Sequence, residues 1–175
     1  RAAVDEAMAG LGARKEGGVW AVDGSPVTVR CLIQGDGGLS AVGEYVADCL
    51  EELGFAVERI HGTAEELAGT WLAADPSAGG WHVHVGLWDA LPLSGNEGAA
   101  FLAQSRRGPL AAYPLWQRFA AEAEAEETFL RLASADWSDE GEHEQLLEKA
   151  ISAAAQMSYV VYLADVPANT PVAGN

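Results

Sequence analysis

His82 and His84 stand two residues apart in Trp81-His-Val-His-Val85, where strand alternation would point both imidazoles to one face. Two imidazoles at that spacing can share a metal, but a structural zinc site wants four ligands, and Cys31 and Cys49 form no short C-x-x-C-type pair. His61 and His143 add no ligand spacing. The expectation is hydrogen-bonded or solvent-facing histidines, no metal, no cofactor, and two free thiols in the core. Gly35-Asp-Gly-Gly38 before a helix start has the outline of an anion cradle, which uses backbone N–H groups, the positive helix end and usually a lysine. Asp36 occupies the bend and no lysine follows, so a flexible turn is expected and a nucleotide is not. None of the serines has nucleophile-elbow context, and the many carboxylates form no legible pair. The chain reads as one that holds something rather than transforms it, so no enzymatic activity is expected.

Tryptophan is more informative, with six in 175 residues. Trp81 and Trp88 bracket a candidate strand, and Trp88 falls just past its carboxyl end in Gly86-Leu-Trp-Asp89. An indole there offers a flat apolar face and one N–H donor to a ligand. Trp20, Trp71 and Trp137 read as core or core-edge, while Trp116 is undecided between the two roles.

The elements that must position these groups read strand, helix, strand, helix, strand. Strands are expected at 27–33, 55–60 and 81–85, with helices at 41–53 and 63–73. Short crossovers through helices imply parallel strands buried on both faces, 27–33 being central and the crossovers right-handed. Ligands of such sheets sit beyond the strands' carboxyl ends, which singles out the loops 34–40, 61–63 and 86–92. Ser40 is a candidate cap for the first of these helices, whose apolar stripe reads Val42, Tyr45, Val46, Cys49, Leu50 and Leu53. Thr63-Ala-Glu-Glu66 is a capping box for the second. Upstream lie a helix over 2–11 and a hairpin of 19–22 with 26 onward, turning at Asp23-Gly24. Downstream, 91–114 is a Gly- and Pro-rich connection with a helical patch at 97–104. Helical periodicity resumes at 126–133, and Ser138 caps a helix through 156 with Leu146, Leu147, Ala150, Ile151 and Ala154 as its buried stripe. A last strand is expected at 159–163.

Composition bounds the partners. A chain of 175 residues suffices for one domain with a sizeable core, and 49% hydrophobic residues argue against disorder. With 26 acidic and 10 basic residues the formal charge is −16, a field that repels nucleic acid and anionic lipid. Uncharged apolar stretches fall short of the roughly 20 residues a membrane helix needs. The sequence opens at Arg1 with no signal-peptide pattern, and its expected status is a piece of something longer or a trimmed product. Residues 1–165 are expected to form one unit, with 166–175 a tail or linker.

Four segments in order carry a family resemblance: Glu44-Tyr-Val-Ala-Asp-Cys-Leu-Glu-Glu-Leu-Gly-Phe55; Trp81-His-Val-His with Gly86-Leu-Trp88; Tyr113-Pro-Leu-Trp116; and Val160-Val-Tyr-Leu163 after a long helix. Together they resemble the C-terminal lobe of extracellular solute-binding proteins of family 5, the oligopeptide-, dipeptide- and nickel-type receptors of ABC importers. The resemblance implies an α/β, three-layer, periplasmic-binding-protein-like lobe with a mixed, mostly parallel sheet flanked by helices. It implies an extracytoplasmic location, a second lobe, a permease partner and a peptide-like solute. In relatives the tryptophan after the third strand faces the cleft, a role that transfers to Trp88. Gly86, Asp89, Gln34 and Asp36 complete the expected ligand-binding set. The resemblance departs at Ala90-Leu-Pro-Leu93 and Gly98-Ala-Ala-Phe101, where relatives commonly carry polar and aromatic groups. Two other readings stay open: a free-standing interaction module, and a small hydrolase using paired carboxylates.

Overall fold

The computed structural model describes residues 1–87, 97–103, 105–118, 123–157, 160, 161 and 163. Helix α1 (Ala2–Gly10) leads into an antiparallel sheet of β1 (Arg14–Glu16), β2 (Val19–Val22) and β3 (Ser25–Pro26), with β2 in the middle. Asp23 and Gly24 both take positive φ, 51° and 76°, giving the tight turn expected of Asp-Gly. The polar β1 was not expected, since Arg-Lys-Glu carries no alternation; pairing with β2 makes it a strand. Trp20 of β2 is buried with Met8 and Ala13, and its Nε1 donates to the Leu53 carbonyl at 2.9 Å.

The second sheet is parallel and three-stranded, with β4 (Thr28–Gln34) between β5 (Ala56–Gly62) and β6 (Val83–Val85), the arrangement expected from the sequence. Register assigns its faces. Cys31 lies beside Arg59 and Val83, and Leu32 beside Ile60 and His84, so odd-numbered side chains share one face and even-numbered ones the other. Helix α2 (Ser40–Glu52) covers the odd face, packing Val42, Val46 and Ala47 on Cys31, Ile33, Val57, Val83 and Val85. Helix α3 (Ala64–Trp71) covers the even face, with Leu67 against Gly62 and Trp71 stacked on His84.

Several boundaries differ from the expectation. Gln34 is strand rather than bend, and β5 runs on through His61 and Gly62 because its pairing with β4 continues to Gln34. Strand β6 starts only at Val83, with Trp81 and His82 ahead of it. Ser40 is the first residue of α2, not its cap; a 3-10 turn over Asp36–Gly38 runs straight into the helix through Leu39. The buried positions of α2 are Gly43 and Ala47, while Tyr45 is 69% exposed. A Cβ on Gly43 would fall 2.3 Å from Ile33 Cγ2, so the helix is seated by its smallest residues instead of its largest. Cys31 is fully buried but Cys49 is only half-buried; both are free thiols.

Beyond the sheet the described chain is helical: α4 (Glu97–Ala103), α5 (Pro114–Arg118), α6 (Ala123–Ala133) and α7 (Glu140–Met157). Their core is Ala125, Phe129, Leu132, Leu146 and Ala150, with Phe101 stacked on Phe129 at 5.4 Å. A Cβ on Gly98 would come within 2.2 Å of the Ala133 backbone nitrogen, so α4 and α6 meet almost backbone to backbone. The cap of α7 is Asp139, whose Oδ1 accepts from the Glu142 N–H at 2.9 Å, rather than Ser138, which donates to the Glu142 carboxylate. Ile151, expected in the buried stripe of α7, is 54% exposed; the stripe instead runs Leu146, Ala150, Ala153, Met157. Helix α5, unforeseen from the sequence, buries Trp116 and sends Arg118 to Asp75 at 2.7 Å, joining the helical half to the loop after α3. The expected last strand is not formed at Val160, Val161 or Leu163; Ser158, Tyr159 and Tyr162 lie outside the described residues. Among the described residues no helix is long and apolar enough to cross a membrane.

Candidate functional site

The three parallel strands end together at Gln34, Gly62 and Val85, and the chain leaves this edge through the Gly35–Gly38 turn, Thr63 and Gly86. Gln34 and Gly86, two of the expected ligand contacts, are brought together here. Gln34 is 5% exposed, and its Oε1 accepts from the Leu87 N–H at 3.1 Å. A Cβ on Gly86 would lie 2.9 Å from that same oxygen and 2.5 Å from His84 Cε1, so a side chain there would require the imidazole or the amide to shift. Asp36 is exposed at this edge, and its Oδ1 accepts from the Ala64 N–H at 3.1 Å, helping to close the first turn of α3. Asp36 therefore acts as a structural acceptor, because unpaired N–H groups at a helix start attract the nearest carboxylate. Trp88 and Asp89 lie outside the described residues.

The two histidines part company. His82 Nδ1 accepts from the Arg30 N–H at 2.9 Å and the backbone N–H of His82 donates to the Arg30 carbonyl, nearer the amino end of the sheet. His84 is stacked on Trp71 with ring centroids 4.7 Å apart. Its Nε2 is buried without a hydrogen-bond partner, and burial pushes its pKa down, so the neutral ring is favoured. His84 is thus neither hydrogen-bonded at Nε2 nor solvent-facing, contrary to the expectation. Sequence reasoning weighed His84 only as a metal ligand and Trp71 only as core, and placed neither beside Gln34 and Gly86. The signal for His84 was present in its even-face parity with Gln34 and Gly86; the signal for Trp71 was not, since only packing of α3 brings it there.

Elsewhere several acids are engaged in pairs and caps. On the odd face, Arg59 reaches Glu44, Asp48 and Glu51 at 3.0, 2.7 and 2.6 Å, and His61 Nε2 stands 3.1 Å from Glu44. Thr63 and Glu66 complete the capping box, and the Thr63 N–H holds the Glu66 carboxyl below its usual range. Asp75, bonded to Ser77 and Arg118, and Glu142, bonded to Arg131 and Ser138, are both pulled down to about 2. Every displaced carboxyl among these is held ionised. Among the described residues no group of three or more His, Cys, Asp or Glu side chains is placed to hold a metal. A shallow cavity of about 130 Å³ opens between α6 and α7, lined by Ala125, Ala153, Gln156 and Met157. Its single polar side chain gives no convergence of functional groups.

A parallel sheet covered by helices on both faces, opening at its carboxyl edge beside a close-packed glycine, defines an α/β fold of periplasmic-binding-protein-like type. Two solved structures with this likeness are NikA from Brucella suis in complex with Fe(III)-EDTA and NikZ from Campylobacter jejuni in complex with Ni(L-His). The first has a TM-score of 0.56 and 16% identity over 81% of this chain; the second has 0.58 and 12% over 85%. The chain spans only 27% and 28% of those proteins' lengths. No protein-family model and no curated protein matches it.

Proposed function

We propose that residues 1–165 form one lobe of a two-lobed solute-binding receptor, supplying one wall of a ligand cleft and carrying out no chemistry. The observation that carries this reading is the shared opening of β4, β5 and β6 at Gln34, Gly62 and Gly86, the edge at which sheets of this kind receive ligands. Trp88 and Asp89 follow that edge directly in sequence; Trp88 supplies an apolar platform, and Asp89 pairs with an amino group of the solute. The solute is peptide-like. The likeness to structures holding Ni(L-His) and Fe(III)-EDTA supports the broader class of small molecules bearing amino and carboxylate groups. By the same likeness the parent protein works outside the cytoplasmic membrane and delivers its solute to an ABC permease.

Against a carboxylate hydrolase stands the direction of the displaced acids: Glu51, Glu66, Asp75 and Glu142 are all shifted down, whereas a general acid needs one pushed up. The interaction-module reading draws on exposed apolar groups such as Tyr45 and Leu87, at 69% and 48%. Leu87 lies at the proposed cleft, where a second lobe would cover it.

Half a cleft lacks the opposing contacts, so the lobe alone should bind short peptides no better than about millimolar, near −4 kcal/mol. Calorimetry and tryptophan fluorescence against a peptide library and the nickel–histidine chelate measure this, with and without the second lobe supplied. Weak binding that tightens with the second lobe and disappears in Trp88→Ala is expected. Micromolar binding to the lobe alone, or turnover of an ester or peptide lost on a single carboxylate change, defeats the reading.

A further inference from the structure

We infer that Gln34 is a positioning residue: its buried amide latches the loop leaving β6 by accepting the Leu87 N–H, and Gly86 is the residue that lets the latch close. The sequence alone suggested that Gln34 meets the solute directly. The structure commits its Oε1 to Leu87, 53 residues further along the chain, with the side chain 5% exposed. The latch is enclosed on its other sides. His84 Cε1 and Nε2 would lie 2.5 and 2.8 Å from a Cβ at Gly86, and Trp71 of α3 stacks on the ring and holds it there. A side chain at 86 would have to displace the imidazole, which is stacked on Trp71, or the Gln34 amide that accepts the Leu87 N–H. The loop therefore leaves the sheet at Leu87 with its first N–H fixed, one residue before Trp88. Fixing a loop before a ligand arrives removes part of the ordering cost of binding. That last consequence rests on the solute-binding reading above; the latch itself does not.

The test uses the full 175-residue chain. Gln34→Met keeps the length and burial but removes the acceptor, and Gln34→Glu keeps an acceptor. Amide exchange at Leu87 and at Leu32 and Ile33 of β4 is followed by NMR, and each variant is titrated with trialanine. In Gln34→Met, Leu87 exchange should rise about tenfold, the worth of one buried hydrogen bond, while Leu32 and Ile33 change little. Gln34→Glu should stay close to wild type at Leu87, a rescue that a purely space-filling role would not produce. Gly86→Ala should raise Leu87 exchange in the same way. Unchanged Leu87 exchange in Gln34→Met, or a rise matched equally at Leu32 and Ile33, overturns the latch. Trialanine failing to bind even the wild type, with Leu87 responding as expected, removes the solute reading and leaves the latch standing.

Discussion

The sheet half, 28–85, and the helical half, 97–157, bury comparable cores by opposite means. In the sheet half, β4 lies between partners 28 and 52 positions away in register, so the strand pairing closes long loops. The helical half builds its core from Phe129, Leu132, Leu146 and Ala150, neighbours within a few helical turns, with Phe101 laid over them. The sheet half also ends in a polar edge where Gln34, His84 and Gly86 converge, whereas the helical half shows a shallow depression lined by Ala125, Ala153, Gln156 and Met157. The contrast is geometric: strand ends leave backbone and amide groups along one edge, while helix packing uses its side chains to fill space.

The largest effect should come from core truncation. Phe129→Ala, at a residue 1% exposed, should cost about 3–5 kcal/mol, and Leu32→Ala, fully buried, about 2–5 kcal/mol. Hydrogen exchange resolved by region, combined with urea unfolding, checks whether each change loosens its own half first. Uniform loosening in both variants would mean that the Arg118–Asp75 link and buried Trp116 make the halves one cooperative unit. Next comes Gly43→Ala, which drives a methyl into Ile33 and should destabilise by about 1–3 kcal/mol despite alanine's better helix propensity. A gain in the thermal midpoint would show that α2 is seated more loosely than its contacts indicate. Thr63→Ala removes the side chain that accepts the Glu66 N–H and should cost about 1 kcal/mol, read as a lower urea midpoint with unchanged slope.

The mildest perturbation is acid. His84 has a folded pKa below its unfolded value, so its contribution is present above the unfolded pKa, about 6.5, and is lost as pH falls toward the folded one. Glu142 and Asp75 have folded values near 2, so theirs is lost only between the ordinary carboxylate range and about pH 2. The sheet half should therefore begin to weaken just below pH 6.5, ahead of any loss at Glu142 in the helical half. His84→Gln should abolish that early step; its survival would place the titration elsewhere.

How much of this was legible depends on whether the information is local or distant. The order of the parallel strands was readable because Val27-Thr-Val-Arg-Cys-Leu-Ile33 is a short apolar run bounded by turn residues, and helical crossovers of minimal length leave few alternatives. The Thr63 box and the Asp23-Gly24 turn were readable for the same local reason, since each motif satisfies its own backbone groups. The stripe of α2 was right at Val42 and Val46, which pack on the sheet, but hydrophobicity also marks Tyr45 as buried, whereas the buried positions are the small Gly43 and Ala47. At the site, sequence placed Gln34, Asp36 and Gly86 beyond or at the strand ends. What it could not show is that the Gln34 Oε1 accepts from the Leu87 N–H and an Asp36 oxygen from the Ala64 N–H, partners 53 and 28 residues away.

Local signals were enough for the strands and helices of the sheet half and their parallel pairing, because propensity, turn chemistry and crossover length act over a few residues, whereas β1 and α5 carried no such signal. The tertiary structure alone decided which polar groups at the carboxyl edge of that sheet remain free, because a buried donor takes whichever acceptor the packing brings within reach. It also decided that the imidazole of His84, instead of facing water, lies against Trp71 with its Nε2 buried.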